Sequence, residues 1–326
     1  MATIVLSHPL YKPGMDILEK SGNAIITAND GNSDIILPYL KKADAFILRI
    51  GKIDRKAIEA CPNLKVITRP GVGVDNVDVK AATEYGIPVV ICPAANTRSV
   101  AEHTIALIFA AAKNIVEYDS ETRKGNFNIR NSYMAVEVFG KKLAVLGFGH
   151  IGKIVAELAS FLGMKIIAYD PFVVESDIRN KGYDFADTVE GAIAEADFVT
   201  LHMPSLPETK GMINNTVFHR MKRTAYFINC ARGDVVNEND LYTALNDKQI
   251  AGAAVDVLGT EPMDASSPLM KLGNFIVTPH SAGQTREATE KIVTLAAEGT
   301  LAVLHGEKWA NVCNPEVYET SRWKGK

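Results

Sequence analysis

Three polar residues in the second half of the chain carry the side chains that proton transfer beside a bound carboxylate requires. They are Arg232, Glu261 and His280, and each lies in a loop after a short apolar run that predicts a strand. A guanidinium can hold a carboxylate through two parallel hydrogen bonds, and an imidazole transfers protons near neutral pH. A carboxylate next to that imidazole favours its protonated form. Because open α/β sheets bind ligands at the carboxyl ends of their strands, we expect these side chains at one sheet edge.

Two of these side chains also have a simpler structural explanation. Arg232 fits an ordinary surface arginine equally well, and Glu261 taken alone fits a bland loop carboxylate. His202, which follows a predicted strand at 198–201, is a rival base, although we expect it to line the cofactor site. The histidines form no H-x-x-x-H or similar ligand spacing, so the sequence predicts no catalytic metal.

A glycine-rich turn lies between a predicted strand and a predicted helix. The hexapeptide GFGHIG (147–152) follows the strand at 143–146, and the helix after it has apolar residues at 3.6-residue spacing. Glycines allow the sharp turn, the close approach of a pyrophosphate and tight helix packing, while the free N–H groups of the helix bind the anion. Such a hexapeptide alone is often accidental, but here strand, turn and helix coincide.

An acidic residue then indicates which dinucleotide is bound. Asp170 ends the next predicted strand, 18 residues beyond Gly152, where a carboxylate accepts the hydroxyls of the adenosine ribose. The same carboxylate repels a 2′-phosphate, and residues 171–174 contain no lysine or arginine that would bind one. The sequence therefore predicts NAD rather than NADP as the cofactor.

Alternating strand and helix patterns organise the chain into two α/β halves. In the first half we predict strands at 3–6, 24–27, 45–48, 65–68 and 88–91. In the second half six predicted strands lie at 143–146, 165–169, 198–201, 225–228, 253–257 and 275–277. A long apolar helix at 99–116 connects the halves, and another follows the last strand at 286–304. We therefore predict two Rossmann-like doubly wound parallel-sheet domains with an active-site cleft between them.

Composition narrows the possible classes of protein. The 326 residues are enough for two domains, and 47% hydrophobic with 22% charged residues is ordinary for a globular chain. A net charge of −3 without a basic block disfavours nucleic-acid binding. The four cysteines are widely spaced, which favours a reducing, cytoplasmic location over a disulfide framework. No apolar run approaches the roughly 20 residues of a membrane span, so we expect no membrane association.

Seven motifs occur in the order that one enzyme family shows. They are RPGVGVDNVD (69–78), NTRSVAEHTIAL (96–107), GFGHIG with Asp170, HMPSLPETKGMIN (202–214), INCARGDVVNENDL (228–241), DVLGTEP (256–262) and TPHSAGQT (278–285). Along nearly its whole length the chain resembles the NAD-dependent D-isomer-specific 2-hydroxyacid dehydrogenases, and among them the phosphoglycerate dehydrogenases and hydroxypyruvate reductases. The resemblance implies hydride transfer between NAD(H) and C2 of a D-2-hydroxy acid or 2-keto acid, of the 3-phosphoglycerate or hydroxypyruvate/glyoxylate type.

The resemblance also implies a role for each residue of the site. Arg232 anchors the substrate's carboxylate and carbonyl, His280 exchanges the hydroxyl proton, and Glu261 keeps His280 protonated during reduction. Backbone N–H groups near Val72 and Gly73 contact the substrate carboxylate. The residues expected at the dinucleotide are Thr104, Gly147, Gly149, His150, Ile151, Gly152, Asp170, His202, Pro204, Cys230, Ala231, Arg232, Asp256, His280 and Gly283.

The resemblance further implies a domain division and an assembly. A discontinuous substrate-binding domain is expected to comprise residues 1–98 and 305–326, and the NAD-binding domain residues 99–304, including both connecting helices. Family members commonly pair through the nucleotide domain, so we expect a homodimer with the long helix from Ser99 at its interface.

The sequence leaves alternatives open for the substrate and for the function. Arg49, Lys52 and Arg55 follow the strand at 45–48; they bind a substrate phosphate if they face the site, and form a solvated basic face if they do not. Pro70 stands where the family usually has alanine, which weakens the transfer of roles to its loop. Some relatives of this fold act as NAD-sensing corepressors, in which protein contacts rather than turnover carry the function.

Overall fold

The chain forms two compact units. The computed structural model describes residues 1–324. Unit 1 comprises Met1–Asn96 together with the segment from Gln284 onward, and unit 2 comprises Thr97–Gly283. Gly325 and Lys326, which belong to the segment assigned to the first domain at 305–326, lie outside the described residues. Each unit contains its own parallel sheet, as the alternating strand and helix patterns predict.

Unit 1 is built on a parallel sheet of five strands. The strands are β1 (Thr3–Leu6), β2 (Ala24–Thr27), β3 (Ala45–Ile47), β4 (Val66–Thr68) and β5 (Val89–Val90). Their order is β2-β1-β3-β4-β5, which is that of a doubly wound sheet. Val5 belongs to one hydrophobic cluster and its neighbours Ile4 and Leu6 to another, so both faces of the sheet are covered.

Four short helices connect these strands. They are α1 (Lys12–Lys20), α2 (Ser33–Leu40), α3 (Arg55–Glu59) and α4 (Val79–Glu84). The side chains of Asp54 and Asp78 each accept a hydrogen bond of 2.9 Å from the backbone N–H three residues later. Such caps satisfy donors that have no partner within the helix, which is why α3 and α4 begin where they do.

Unit 2 contains a parallel sheet of seven strands. The strands are β6 (Lys142–Leu146), β7 (Lys165–Tyr169), β8 (Asp184–Phe185), β9 (Phe198–Leu201), β10 (Tyr226–Asn229), β11 (Gly252–Val255) and β12 (Phe275–Val277). Their order is β12-β11-β10-β9-β6-β7-β8. The order reverses direction at β6, where an open α/β sheet has its ligand site at the carboxyl ends of the strands.

Six of these seven strands were predicted, and β8 was not. It has two residues, neither is fully buried, and it pairs with β7 at the edge of the sheet. A pattern so short and without β-branched residues carries no alternation signal.

Seven α-helices belong to unit 2. They are α5 (Thr97–Ala112), α6 (Ile115–Arg123), α7 (His150–Phe161), α8 (Glu175–Arg179), α9 (Val189–Ile193), α10 (Asn215–Arg220) and α11 (Glu238–Asn246). The single helix predicted at 99–116 is two helices, because Asn114 adopts a left-handed φ of 50°. Among the described residues no single helix has the length and apolar composition of a membrane span; α5 and α6 pass that test only as a pair bent by 58°.

The last long helix, α12 (Arg286–Leu304), belongs to unit 1, which corrects the domain boundary predicted at 304 to residue 283. Its packing gives the reason. A Cβ on Gly14 of α1 would lie 2.8 Å from the Val293 Cβ, so the two helices touch through a glycine. The hydroxyls of Thr68 in β4 and Thr300 in α12 lie 2.6 Å apart, and both residues are fully buried.

The buried hydroxyl pair yields a stability prediction. The Thr300 hydroxyl donates to the Ala296 carbonyl, so Thr68 donates to Thr300. Thr300→Val keeps the shape but leaves the Thr68 hydroxyl without its acceptor, and we expect it to lower the free energy of unfolding by about 1–3 kcal/mol. Thr68→Val/Thr300→Val removes both polar groups and is expected to cost less than the single change.

Denaturant unfolding of the three proteins measures these differences. Thr243→Val in α11, where an exposed hydroxyl bonds the Asn239 carbonyl, is the matched control and is expected to change stability by less than about 0.5 kcal/mol. A double variant that loses as much stability as Thr300→Val alone, or more, would contradict the pairing.

Candidate active site

A histidine and a glutamate form a close pair beyond the carboxyl ends of β11 and β12. The Nδ1 atom of His280 lies 2.7 Å from Oε2 of Glu261. Both side chains remain accessible, with 52% and 36% of their surfaces exposed. Since a carboxylate only accepts hydrogen bonds, Nδ1 carries the proton in this contact. The Nε2 atom is therefore the ring nitrogen that can exchange a proton with a ligand.

The backbone at His280 has an unusual conformation that the neighbouring strand holds in place. Its φ of 52° is in the left-handed region, which residues with a side chain rarely occupy. The His280 N–H donates to the carbonyl of Asp256 at 2.9 Å. The Asp256 carboxylate, 1% exposed, then accepts the next two backbone N–H groups, those of Ser281 at 2.9 Å and Ala282 at 2.8 Å. Asp256 thus fixes the turn that presents the His280 ring.

Arg232 lies in the loop after β10, and the amide side chain of Asn229 shapes that loop. Asn229 Nδ2 donates to the Arg232 carbonyl at 2.9 Å, and Asn229 Oδ1 accepts from the Ala231 N–H at 2.9 Å. Gly233 follows, and a Cβ there would lie 2.0 Å from the carbonyl carbon of Leu258. Only glycine permits this approach, so the loop with Arg232 lies against the loop that leads to Glu261.

Glu238, in the first turn of α11, was not identified from the sequence. Its Oε1 accepts a hydrogen bond from the backbone N–H of Gly259, two residues before Glu261. The bond joins positions 21 residues apart, and no local sequence signal indicates it. Glu238 is therefore a second support for the loop that carries Glu261.

The three glycines of GFGHIG have distinct environments. Gly147 has a φ of 99°, and a Cβ there would lie 2.7 Å from the His202 carbonyl. A Cβ on Gly152 would lie 2.0 Å from the Gly147 carbonyl oxygen. At Gly149, by contrast, nothing lies within 4 Å of where a Cβ would be. The first and third glycines therefore permit tight backbone packing, and the second leaves the space that a pyrophosphate needs.

The N-terminus of α7 and the side chain of Asp170 border this space. α7 begins with His150 and Ile151, and no side chain caps its first N–H groups. Asp170, after β7, accepts from the Phe148 N–H at 2.8 Å and from the Phe172 N–H at 2.9 Å. Each carboxylate oxygen keeps a lone pair for a further donor. Free amides beside a carboxylate fit the pyrophosphate and adenosine ribose of NAD.

Burial determines the ionisation of two other predicted residues. Burial lowers the pKa of the His202 imidazole to about 3, and its Nε2 lies 3.1 Å from the Thr200 hydroxyl. A neutral ring bonded within its own strand end is a poor rival to His280 as the proton-transferring group. Burial also raises the pKa of the Cys230 thiol to about 12, and this thiol lies beside the fully buried Thr104. Both groups are uncharged at neutral pH.

The remaining predicted residues are divided between the units. Pro204 and Gly283 lie in unit 2, after β9 and after the His280 turn. Val72 and Gly73 follow β4 in unit 1, and their backbone N–H groups donate to no other described residue. Arg49 follows β3 in unit 1 and donates through Nη1 to the Pro9 carbonyl at 3.0 Å.

The basic residues after β3 do not share one environment. Arg55 pairs with Glu84 at 2.7 Å and with Glu59 at 3.7 Å. This arrangement supports the solvated-face interpretation for Arg55. Among residues 1–324 no group of three or more histidine, cysteine, aspartate or glutamate side chains could hold a metal ion.

Comparisons with known proteins show what the chain is similar to. Residues 105–282 match the family model described as D-isomer specific 2-hydroxyacid dehydrogenase, NAD binding domain. The chain is 40% identical to the D-3-phosphoglycerate dehydrogenase of Methanocaldococcus jannaschii, across 96% of this chain and 60% of that protein. It is 37% identical to the glyoxylate reductase of Korarchaeum cryptofilum, across 87% of this chain and 86% of that protein.

A solved structure shows the same fold. The TT0316 protein from Thermus thermophilus superposes with a TM-score of 0.87 at 31% identity, covering 95% of this chain and 99% of that chain. The D-3-phosphoglycerate dehydrogenases are longer, and the chain spans 51–60% of the length of four of them.

The open space at Gly149 yields a prediction about dinucleotide binding. Gly149 has a φ of −77°, which alanine adopts without strain, so Gly149→Ala is expected to leave the melting temperature unchanged. The added methyl occupies the space for the pyrophosphate, and we expect NADH affinity to fall by about tenfold or more. Fluorescence titration with NADH and thermal melts measure the two quantities.

Gly152→Ala is the contrasting variant. Its methyl would meet the Gly147 carbonyl oxygen, so we expect it to lower the melting temperature as well as NADH binding. Wild-type NADH affinity in Gly149→Ala would show that this space is not the pyrophosphate site.

Proposed function

Because the chain belongs to the D-isomer-specific 2-hydroxyacid dehydrogenase family, we propose that it transfers a hydride between NAD(H) and C2 of a D-2-hydroxy acid or its 2-keto acid. The observation that carries this proposal is the 2.7 Å contact between His280 and Glu261. A ring oriented by a carboxylate through one nitrogen and open at the other is suited to general acid and base catalysis. Arg232, on the adjoining loop, supplies the positive charge that a 2-keto acid carboxylate requires.

In the proposed mechanism the protein's own groups bind the substrate and move one proton. The Arg232 guanidinium binds the carboxylate of the substrate and polarises its carbonyl. During reduction His280 gives a proton from Nε2 to the carbonyl oxygen, and during oxidation it takes that proton back. Glu261 stabilises the positive charge of the ring before the proton leaves. When bound, NADH supplies the hydride and NAD⁺ accepts it.

Most of the residues that we assign to the dinucleotide follow strands of the sheet in unit 2. The amides at the start of α7 bind the pyrophosphate, and Asp170 accepts from the ribose hydroxyls. The residues after β9, β10, β11 and β12 that we assign to the remainder of the dinucleotide are His202, Pro204, Cys230, Ala231, Asp256 and Gly283. Thr104 of α5, which contacts Cys230, completes the set. Asp170 and the absence of basic residues at 171–174 support NAD over NADP.

The names of the relatives support a small, polar 2-keto acid as substrate. One matched protein is a D-3-phosphoglycerate dehydrogenase and another a glyoxylate reductase. We therefore keep substrates of the 3-phosphoglycerate and hydroxypyruvate/glyoxylate types together. Arg49 is the candidate for a substrate phosphate, whereas Arg55 is already paired with Glu84.

We also propose that the chain forms a homodimer. The long helix from Ser99 that we expected at its interface, α5, buries most of its apolar residues in the core of unit 2, so we assign the interface to α6 and the segment after it. Five large apolar side chains within 20 residues of each other are exposed on unit 2: Ile115, Val116, Phe127, Tyr133 and Met134. Such a concentration of exposed apolar surface is typical of an interface between subunits.

The four free cysteines separately support a reducing, cytoplasmic location.

The catalytic proposal is tested by NADH absorbance with glyoxylate, hydroxypyruvate, phosphohydroxypyruvate and 2-ketoisocaproate. We expect at least one of the four to be reduced. His280→Ala removes the proton donor, so kcat is expected to fall by about 10²- to 10⁴-fold while the Kd for NADH stays the same. His219→Ala, which changes an exposed histidine of α10, is the matched control.

Two results would contradict this function. Unchanged turnover in His280→Ala would exclude His280 as the proton-transferring group. A wild-type protein that binds NADH but reduces none of the four acids would instead favour the NAD-sensing corepressor.

The homodimer is tested by light scattering after gel filtration. One chain has a mass of 35.4 kDa, so a dimer has 2 × 35.4 = 70.8 kDa. Charges buried in an apolar interface are costly, and Phe127→Asp/Tyr133→Asp is expected to give the mass of a single chain. Phe172→Asp, an equally exposed position of unit 2 outside the segment 115–134, is expected to remain dimeric. A monomeric wild-type protein would exclude the dimer.

A further inference from the structure

A chain of hydrogen bonds runs from the middle of α5 to the turn that presents His280. The Nε2 atom of His103 lies 3.0 Å from the Thr278 hydroxyl oxygen. That hydroxyl donates to Oδ1 of Asp256 at 2.5 Å, and the His103 ring is itself 3.6 Å from the same oxygen. Asp256 is 1% exposed and His103 24%, so the chain leads from a largely covered ring to a buried carboxylate.

The direction of the hydrogen bonds follows from the donors around Asp256. Its Oδ1 accepts from the Ser281 N–H, and its Oδ2 from the Ala282 N–H. The Thr278 hydroxyl uses its only proton toward Oδ1, so its oxygen accepts from His103. His103 must therefore carry a proton on Nε2. No sequence pattern indicates this contact, because residues 103 and 278 are 175 positions apart.

A second contact ties α5 to the other side of the same turn. The Ser99 hydroxyl donates to the Ala282 carbonyl at 2.6 Å, and both residues are buried. Ser99 and His103 are four residues apart, so they lie on one face of α5. The helix thus contacts the turn at Thr278, before His280, and at Ala282, after it.

The turn needs such support because His280 has a left-handed backbone. This conformation is unfavourable for a residue with a side chain, and it persists only where surrounding contacts enforce it. Asp256 supplies three of those contacts through its carbonyl and carboxylate. Thr278 and His103 in turn hold the Asp256 carboxylate in the orientation that meets Ser281 and Ala282.

We propose that α5 braces the His280 turn at two points and that His103, acting through Thr278 and Asp256, is a positioning residue for His280. The proposal rests on the proposed dehydrogenase function, since it concerns the ring assigned to proton transfer. His103 touches neither substrate nor His280 in this scheme. Its contribution is to keep the His280 ring in line with the reacting oxygen, where a displacement of about 1 Å costs up to 10²-fold in rate.

Two substitutions at His103 separate a positioning role from a merely structural one. His103→Leu removes the donor, and we expect kcat to fall by about tenfold while the KM for the keto acid and the Kd for NADH change less than about twofold. His103→Gln restores an N–H donor near the position of Nε2 and is expected to recover kcat to within about threefold of wild type. His219→Leu, in the exposed α10, is the matched control.

Substitutions at Thr278 test the middle of the chain. Thr278→Val removes both the acceptor and the donor, whereas Thr278→Ser keeps them. We expect kcat to fall in Thr278→Val and to be retained in Thr278→Ser. Because one chain of bonds is broken by either change, His103→Leu/Thr278→Val is expected to be no slower than the slower single variant. These variants carry the test if His103→Leu fails to fold.

Two measurements do not depend on turnover, so failure of the proposal is distinguishable from failure of the proposed function. Nitrogen-15 NMR of the imidazoles is expected to show a proton on Nε2 of His103 in the wild-type protein. Amide hydrogen exchange at Ser281 and Ala282 is expected to accelerate in His103→Leu, while exchange in β9 stays unchanged. If the wild-type protein reduces no keto acid, the dehydrogenase function fails and these two readouts still decide on the brace.

Three results would overturn the proposal. One is a kcat in His103→Leu equal to that of wild type. Another is equal impairment of His103→Leu and His103→Gln, which would show that the ring fills space rather than donates. The third is a His103 that carries its only ring proton on Nδ1.

Discussion

The carboxylate of Asp256 is buried beside the last two strands of unit 2, and its charge must be balanced within the protein. A buried carboxylate without donors costs several kcal/mol, and here backbone N–H groups and a hydroxyl surround it. Those donors come from one short turn, so satisfying the charge also determines the path of the chain. The left-handed residue in that turn is His280. The position of the His280 side chain is therefore a consequence of the hydrogen bonds that stabilise the buried Asp256 carboxylate.

Close backbone contacts also fix the positions of the other loops at this edge of the sheet. Gly233 lies against Leu258, and Gly147 lies against His202, in both cases at distances that a side chain would prevent. Each contact joins loops that follow neighbouring strands of a parallel sheet. Regular hydrogen bonds hold the strands in place. Loops that contact one another where they leave the sheet therefore have little conformational freedom. Arg232 and Glu261 can be both solvent-accessible and well placed for this reason.

Much of this fold was predictable because its signals are local. All the predicted strands are present in the two sheets, and the glycines of GFGHIG lie where strand, turn and helix meet. The edge strand β8 was missed because two residues show no periodicity. The assignment of α12 to the wrong unit has another cause: an amphipathic helix shows that it has a buried face but not which sheet covers it.

The supporting residues of the site were harder to find than the reactive ones. The chemistry of an arginine, a glutamate or a histidine can be predicted from the residue type alone. The family resemblance then assigns roles to Arg232, Glu261 and His280. His103, Glu238 and Thr278 act through partners 175, 21 and 22 residues away, and such pairings exist only once the chain has folded. The sequence around a histidine in the middle of an apolar helix does not indicate the role of that histidine.

The return of α12 to unit 1 has a consequence for biosynthesis. The ribosome releases the strands of the first sheet early, yet the helix that packs on α1 and bonds to β4 emerges only after the whole of unit 2. Unit 2 is contiguous and can fold as it is made, whereas unit 1 stays incomplete, with apolar surface exposed, until α12 has been translated. Nascent chains stalled before residue 286 should accordingly be clients for chaperones through their N-terminal part.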